Sequence, residues 1–251
     1  MDNINDYSYI ARQTGKVRQG IREAAKQAGR DESDVTLVAA VKYADDGEIA
    51  YLCGPGGVRD VGENRVQQLL AHYEALPNRD EVRFHFIGTL QKNKVKYLIG
   101  KVCMIHSVDS AELAQEIERR CEKAGCTMDV LVEINSGREE NKSGVMPEQA
   151  GELCLAIAGM SHLRLRGFMT MAPVCQSAGE YRNYFRETYR LCLDIWTEKL
   201  HNIERPVFSM GMSQSYREAI LEGATMVRVG RTLFDRSGSE ENEETTVNGG
   251  A

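Results

Sequence analysis

The sequence predicts a single (β/α)8 barrel with one extra helix in front of it, and three observations carry that prediction. Short apolar, β-branched runs alternate with longer amphipathic stretches along the whole chain. Eight such runs occur, the number a closed parallel barrel needs. Most are continuous apolar stretches, as expected for strands covered on both faces. The length of 251 residues fits, because barrels of this kind reach about 250 residues as one domain. No linker or break in composition divides the chain, which argues against an open doubly wound sheet.

The elements follow in order. Asn5 or Asp6 caps a first helix, with Ile10, Val17, Ile21 and Ala24 at helical spacing and Gly29 as its stop. Strands are expected at 36–42 (TLVAAVK), 58–61, 84–87, 103–108, 128–135 (MDVLVEIN), 163–169, 207–210 and 226–229. The second of these is assigned largely from its place in the rhythm. Helices are expected at 45–53, 63–76, 91–100, 110–124, 147–160, 180–201 and 213–223, with a short helical turn after Thr232. The barrel therefore spans 1–235. Residues 236–251 hold four Glu and no apolar periodicity, and read as a disordered acidic tail.

Composition narrows the function. Lys and Arg total 31 against 37 Asp and Glu, a net charge of −6, which argues against a reader of phosphate backbones. With Gly counted and Tyr not, the apolar fraction is about 47%, inside the globular range of about 45–50%. No run approaches the roughly 18–20 apolar residues of a membrane span. The acidic start lacks a secretory signal's basic and apolar regions, so a cytoplasmic protein is expected. Seven scattered cysteines without a C-x-x-C pair read as reduced thiols.

Several motifs fail on inspection. Gly54-Pro55-Gly56-Gly57 has Arg59 at the third glycine position of a nucleotide loop and lies between helix and strand, the reverse of the required order. The stretch ending Asn141-Lys142-Ser143 has Asn where a P-loop needs Gly, and its match to a glycosylation sequon has no secretory context. No G-x-S-x-G or H-E-x-x-H occurs. His72, His85, His106, His162 and His201 are too dispersed to mark a metal site and read as structural. Lys92, Lys94, Lys96 and Lys101 read as a solvated helix face.

Barrel chemistry sits at the strand exits. Lys42 closes the apolar run Leu37-Val38-Ala39-Ala40-Val41. A lysine facing into the barrel there is poorly solvated, which favours the neutral amine that condenses with an aldehyde. The alternatives are that it points to solvent or pairs with Glu63. After strands seven and eight, Gly211-Met212-Ser213 and Gly230-Arg231-Thr232 fit the phosphate-binding loops of barrels, although each alone is an ordinary glycine turn. A phosphate site facing an aldehyde-binding lysine points to pyridoxal 5′-phosphate (PLP).

Taken together, Val38-Ala39-Ala40-Val41-Lys42, Gly62-Glu63-Asn64, His85-Phe86-Ile87-Gly88 with Leu90-Gln91 and Asn93-Lys94, Asn141-Lys142-Ser143-Gly144, Arg164-Leu165-Arg166-Gly167, Ser209-Met210-Gly211-Met212-Ser213 and Met226-Val227-Arg228-Val229-Gly230 resemble the pyridoxal phosphate homeostasis proteins, the YggS/PROSC family. The resemblance spans about residues 5–235. It implies a barrel similar to the N-terminal domain of alanine racemase. It implies that Lys42 carries PLP as a Schiff base, that Asn64 contacts the ring side and that Arg228 faces the pyridine nitrogen. Ser213 and the backbone near Gly230 and Thr232 would cradle the phosphate, with Met212 and Arg231 completing the cofactor-binding loops. Val41 departs from the pattern, since many relatives have a small hydroxyl residue before the lysine. Neighbouring strand residues face opposite sides, so only packing should change.

An arginine beside the pyridine nitrogen donates but does not accept a proton, so it keeps the ring neutral and weakens it as an electron sink. Racemases of similar fold tolerate such an arginine but add a second base, a Tyr from a separate β-domain at a dimer interface, for which this chain offers no segment. The expectation is therefore a monomeric PLP carrier or buffer in vitamin B6 homeostasis, without turnover of its own and without a metal. Its partners would be PLP and PLP-dependent apo-enzymes. A fold-type-III amino-acid racemase or PLP lyase is the alternative, and a cofactor-free Schiff-base aldolase is a third reading.

Overall fold

A computed structural model describes residues 6–139, 142–199 and 206–237. Eight parallel strands close into a barrel in sequence order. They are β1 (Thr36–Ala40), β2 (Asp60–Glu63), β3 (Arg83–Phe86), β4 (Met104–Val108), β5 (Met128–Glu133), β6 (Leu163–Met169), β7 (Val207–Ser209) and β8 (Met226–Val229). Closure comes from β8 lying against β1, with Arg228 opposite Val38 and Val229 opposite Ala39. The outer layer holds α1 (Ser8–Gln27), α2 (Asp46–Cys53), α3 (Val66–Ala75), α4 (Ala111–Ala124), α5 (Pro147–Ala158), α6 (Ala178–Lys199) and α7 (Tyr216–Leu221). Among the described residues no helix is long and apolar enough to cross a membrane.

The first helix buries the predicted stripe of Ile10, Val17, Ile21 and Ala24. The Asp6 carboxylate accepts the Ser8 N–H at 2.8 Å, and Gly29 ends the helix region at φ 69°. Asn5 lies outside the described residues. α1 packs against α7 and α2. It thus fills the outer position between the helices that flank β8 and β1, where no helix follows β8 among the described residues.

Most of the core lies between the strands' outer face and the helices, and includes Val41, Val61, Phe84, Phe86, Ile105 and Val227. A smaller apolar cluster of Val38, Met104, Leu131, Met169 and Met226 forms separately. The alternation along β1 separates Val38 from Ala39 in this way, each in a different cluster.

Two element assignments change. The second strand is Asp60–Glu63 rather than 58–61. Its ends are buried carboxylates, so the apolar run expected of a covered strand is missing. The helix expected at 91–100 is a short 3-10 helix, Lys92–Tyr97. Val95 within it and Leu98 just after it are buried three residues apart, the 3-10 repeat. The chain after Thr232 forms a hydrogen-bonded turn, with the Leu233 N–H donating to the Gly230 carbonyl at 2.9 Å. None of the seven cysteines is bridged. His201 and most of the expected 236–251 tail lie outside the described residues.

Candidate functional site

A cavity of about 700 Å³ opens at the strand exits. That is the size of a small-molecule site, about 300–1,000 Å³. Lys42, Asn64, Met212, Ser213, Arg228, Gly230 and Arg231 all line it. Thr232, the remaining residue expected at the site, is not on the wall but sends its N–H to Ser213.

Lys42 lies just past β1 and is half-buried. Its carbonyl accepts the Gln68 side-chain N–H at 2.7 Å, and its Nζ lies 4.8 Å from the centroid of the exposed Tyr43 ring. The loop behind it is pinned by a reciprocal cap on α2. There the Glu48 N–H donates to Asp45 Oδ1 at 2.8 Å and the Asp45 N–H to Glu48 Oε2 at 2.9 Å. Glu63 is not a partner of Lys42. It is fully buried and takes His72 Nδ1 at 2.6 Å and the Asn64 N–H at 3.2 Å. The Glu63 bond outweighs burial and raises the His72 imidazole above its ordinary pKa. Glu63 thus ties α3 to the end of β2 and sets the backbone of Asn64. Gly88 is needed beside that turn, because a Cβ there would sit 2.2 Å from the Asn64 carbonyl oxygen.

Across the cavity the loops after β7 and β8 meet. The Gly230 and Thr232 N–H groups both point at Ser213 Oγ, at 3.3 and 3.4 Å. Gly211 makes the preceding turn at φ 92°, a conformation that favours glycine.

Arg228 is 4% exposed. It donates from Nη1 to the Ser209 carbonyl at 2.7 Å and Ser209 Oγ at 2.8 Å, and from Nη2 to the Thr170 carbonyl at 3.0 Å. Of its five N–H donors, Nε–H and one on Nη2 have no protein acceptor among the described residues. Burial brings its pKa down to about 10, against the pull of Glu133, so it stays cationic at neutral pH. Glu133 itself is buried at the end of β5. It accepts the Ser143 hydroxyl at 2.6 Å, and burial pushes its carboxyl up. The Lys142-Ser143-Gly144 stretch therefore braces β5, and Asn141 lies outside the described residues.

The sequence reading missed the roles of Asp60, Glu63, His85 and His106, all buried. The available signal was alternation: His85 sits between Phe84 and Phe86, which join the outer core.

Residues 13–237 match the family described as alanine racemase, N-terminal domain. The pyridoxal phosphate homeostasis protein of Aquifex aeolicus is 42% identical over 87% of this chain and 94% of its own. The chain belongs to the pyridoxal phosphate homeostasis family. Two solved structures resemble this family member throughout. A protein of Bifidobacterium adolescentis described as unknown is 33% identical, with a TM-score of 0.85 over 93% of this chain and 98% of that one. PipY of Synechococcus elongatus PCC7942, solved with PLP bound, is 26% identical, with a TM-score of 0.79 over 90% of this chain and 100% of that one.

Proposed function

We propose that the chain binds pyridoxal 5′-phosphate in this cavity and acts in PLP homeostasis as a carrier or buffer. One observation carries the reading: an amine, a cation with spare donors and two backbone N–H groups aimed at one hydroxyl converge on a single cavity. The relatives' name and the PLP held by PipY support it. When bound, the cofactor supplies an aldehyde that condenses with amines and a ring that accepts electron density.

Lys42 is assigned to bond the aldehyde, Arg228 to face the ring nitrogen and Asn64 to border the ring. Ser213 is assigned to the phosphate with the Gly230 and Thr232 N–H groups, and Met212 and Arg231 complete those loops. Arg228 is a permanent donor, so a ring nitrogen opposite it accepts a hydrogen bond and stays unprotonated. That arrangement weakens the ring as an electron sink and favours holding the cofactor; a racemase tolerates such an arginine but needs a second proton-transfer base, which this reading does not supply. In this reading PLP-dependent apo-enzymes receive the cofactor from a cytoplasmic monomer.

The test is the visible spectrum of the full chain incubated with PLP. Wild type should turn yellow, and Lys42→Ala should lose the band. Unchanged covalent loading in Lys42→Ala would refute the assignment.

A further inference from the structure

We infer that His106 and His85 are positioning residues for Arg228: a one-directional hydrogen-bond chain through the barrel fixes the guanidinium toward the cofactor's ring nitrogen. The inference rests on the assignment of the cavity to PLP.

The chain begins at Arg228 Nη1, 2.8 Å from Ser209 Oγ. Ser209 Oγ is 3.1 Å from His106 Nδ1, His106 Nε2 is 3.0 Å from His85 Nδ1, and His85 Nε2 is 2.9 Å from Asp60 Oδ1. Arg83, at the opposite end of the barrel, holds the other Asp60 oxygen at 2.5 Å. From Arg228 to Asp60, β8, β7, β4, β3 and β2 supply one residue each, and all are buried.

The donors fix the direction. Arg228 only donates, so Ser209 Oγ accepts from it and gives its single proton to His106 Nδ1. The His106 proton is then on Nε2 and goes to His85 Nδ1. The His85 proton is on Nε2 and goes to the Asp60 carboxylate. Each donor from Ser209 to Asp60 then has an acceptor, with one proton on each imidazole. Reversing the chain leaves the Ser209 proton without an acceptor among the described residues and requires His85 to be doubly protonated.

The local electrostatics agree. Burial, then His85 and Arg228, hold His106 well below the ordinary imidazole pKa. Burial favours protonated Asp60, but the hydrogen bonds from His85 and Arg83 outweigh it and hold the carboxyl below its usual range. Cys103 Sγ approaches His85 Nε2 at 3.5 Å.

A buried polar network is often no more stabilising than apolar filling of the same space. Val38, Leu131, Met169 and Met226 show that this barrel also packs apolar side chains together. The particular effect of the polar chain falls on Ser209. With its proton committed to His106, the hydroxyl presents a lone pair to Arg228. The two carbonyls complete a three-acceptor cradle that leaves Nε–H and one Nη2–H for the cavity. Glu133 from β5 and His106 from β4 act on Arg228 electrostatically, and Lys42, Tyr43, Asp45, Glu48, Tyr181, Arg231 and Arg236 share its cavity.

The test loads the full chain with PLP carrying 15N in the ring and records the ring resonance at pH 6, PLP affinity and Tm. Wild type should show an unprotonated ring nitrogen. In Ser209→Ala, His106→Phe and His85→Phe the resonance should move toward the protonated position, with affinity about ten-fold weaker. His106→Asn, which can still accept from Ser209, should stay near wild type. Ser209→Ala keeps both backbone acceptors of Arg228 and guards against a general folding failure. Lower Tm with the wild-type resonance in every variant would reduce the chain to interior filling and overturn the inference. Wild type that binds no PLP would instead defeat the site assignment beneath it.

Discussion

Ser213 Oγ lies 3.3 Å from the Gly230 N–H, so the loop after β7 and the loop after β8 close on one oxygen. The Thr232 N–H reaches the same atom at 3.4 Å. These long, solvent-near bonds add little to the fold but mark where two donors converge.

Ser213→Ala should therefore weaken PLP binding ten-fold or more. A hydrogen bond to a charged group contributes about 1.5–3 kcal/mol, and about 1.4 kcal/mol is ten-fold in affinity. The apo-protein's Tm should barely move. Fluorescence titration and thermal melting check the two halves separately.

Gly88→Ala should damage both fold and site. The new Cβ meets the Asn64 carbonyl oxygen at 2.2 Å and its Cα at 2.7 Å, and backbone yields less readily than a side-chain tip. Overpacking of this kind costs about 1–3 kcal/mol. Urea denaturation should show the loss, and PLP titration should show weaker binding because Asn64 must shift.

His72 and Glu63 should make stability depend on pH. Glu63 raises the His72 pKa in the folded protein. The resulting stabilisation is full below the unfolded value of about 6.5 and is lost as pH rises through the higher folded value. Wild type should thus lose stability relative to His72→Gln between about pH 6.5 and mildly alkaline pH. Denaturation of both proteins across that range checks the sign.

Racemisation should be slow, because Arg228 weakens the electron sink and the carrier reading supplies no second proton-transfer base. With the ring nitrogen unprotonated, single amino-acid enantiomers incubated with the PLP-loaded chain should interconvert below about 1 s⁻¹, the low end of ordinary turnover. Chiral chromatography of the mixture measures it, and faster interconversion would favour the racemase reading.

Where apolar runs and burial coincide, the barrel is legible in the sequence. The strands at Leu163–Met169 and Met226–Val229 have the expected bounds. It is less legible where the interior turns polar. β2 begins with Asp60 and ends with Glu63, so its burial leaves no apolar run to read. The residues expected at the site stand at strand exits and loops, where chemistry and position coincide, and all but Thr232 meet on one cavity wall. His85 and His106 look isolated because their partners are separated in sequence and come together only when β3 and β4 pair.

The most direct measurement is borohydride reduction of the PLP-loaded chain followed by peptide mapping of the adduct. The pyridoxyl group should be found on the peptide containing Lys42, in near one-to-one yield. An adduct spread over surface lysines such as Lys92 and Lys96, or no adduct from a yellow protein, would contradict the site.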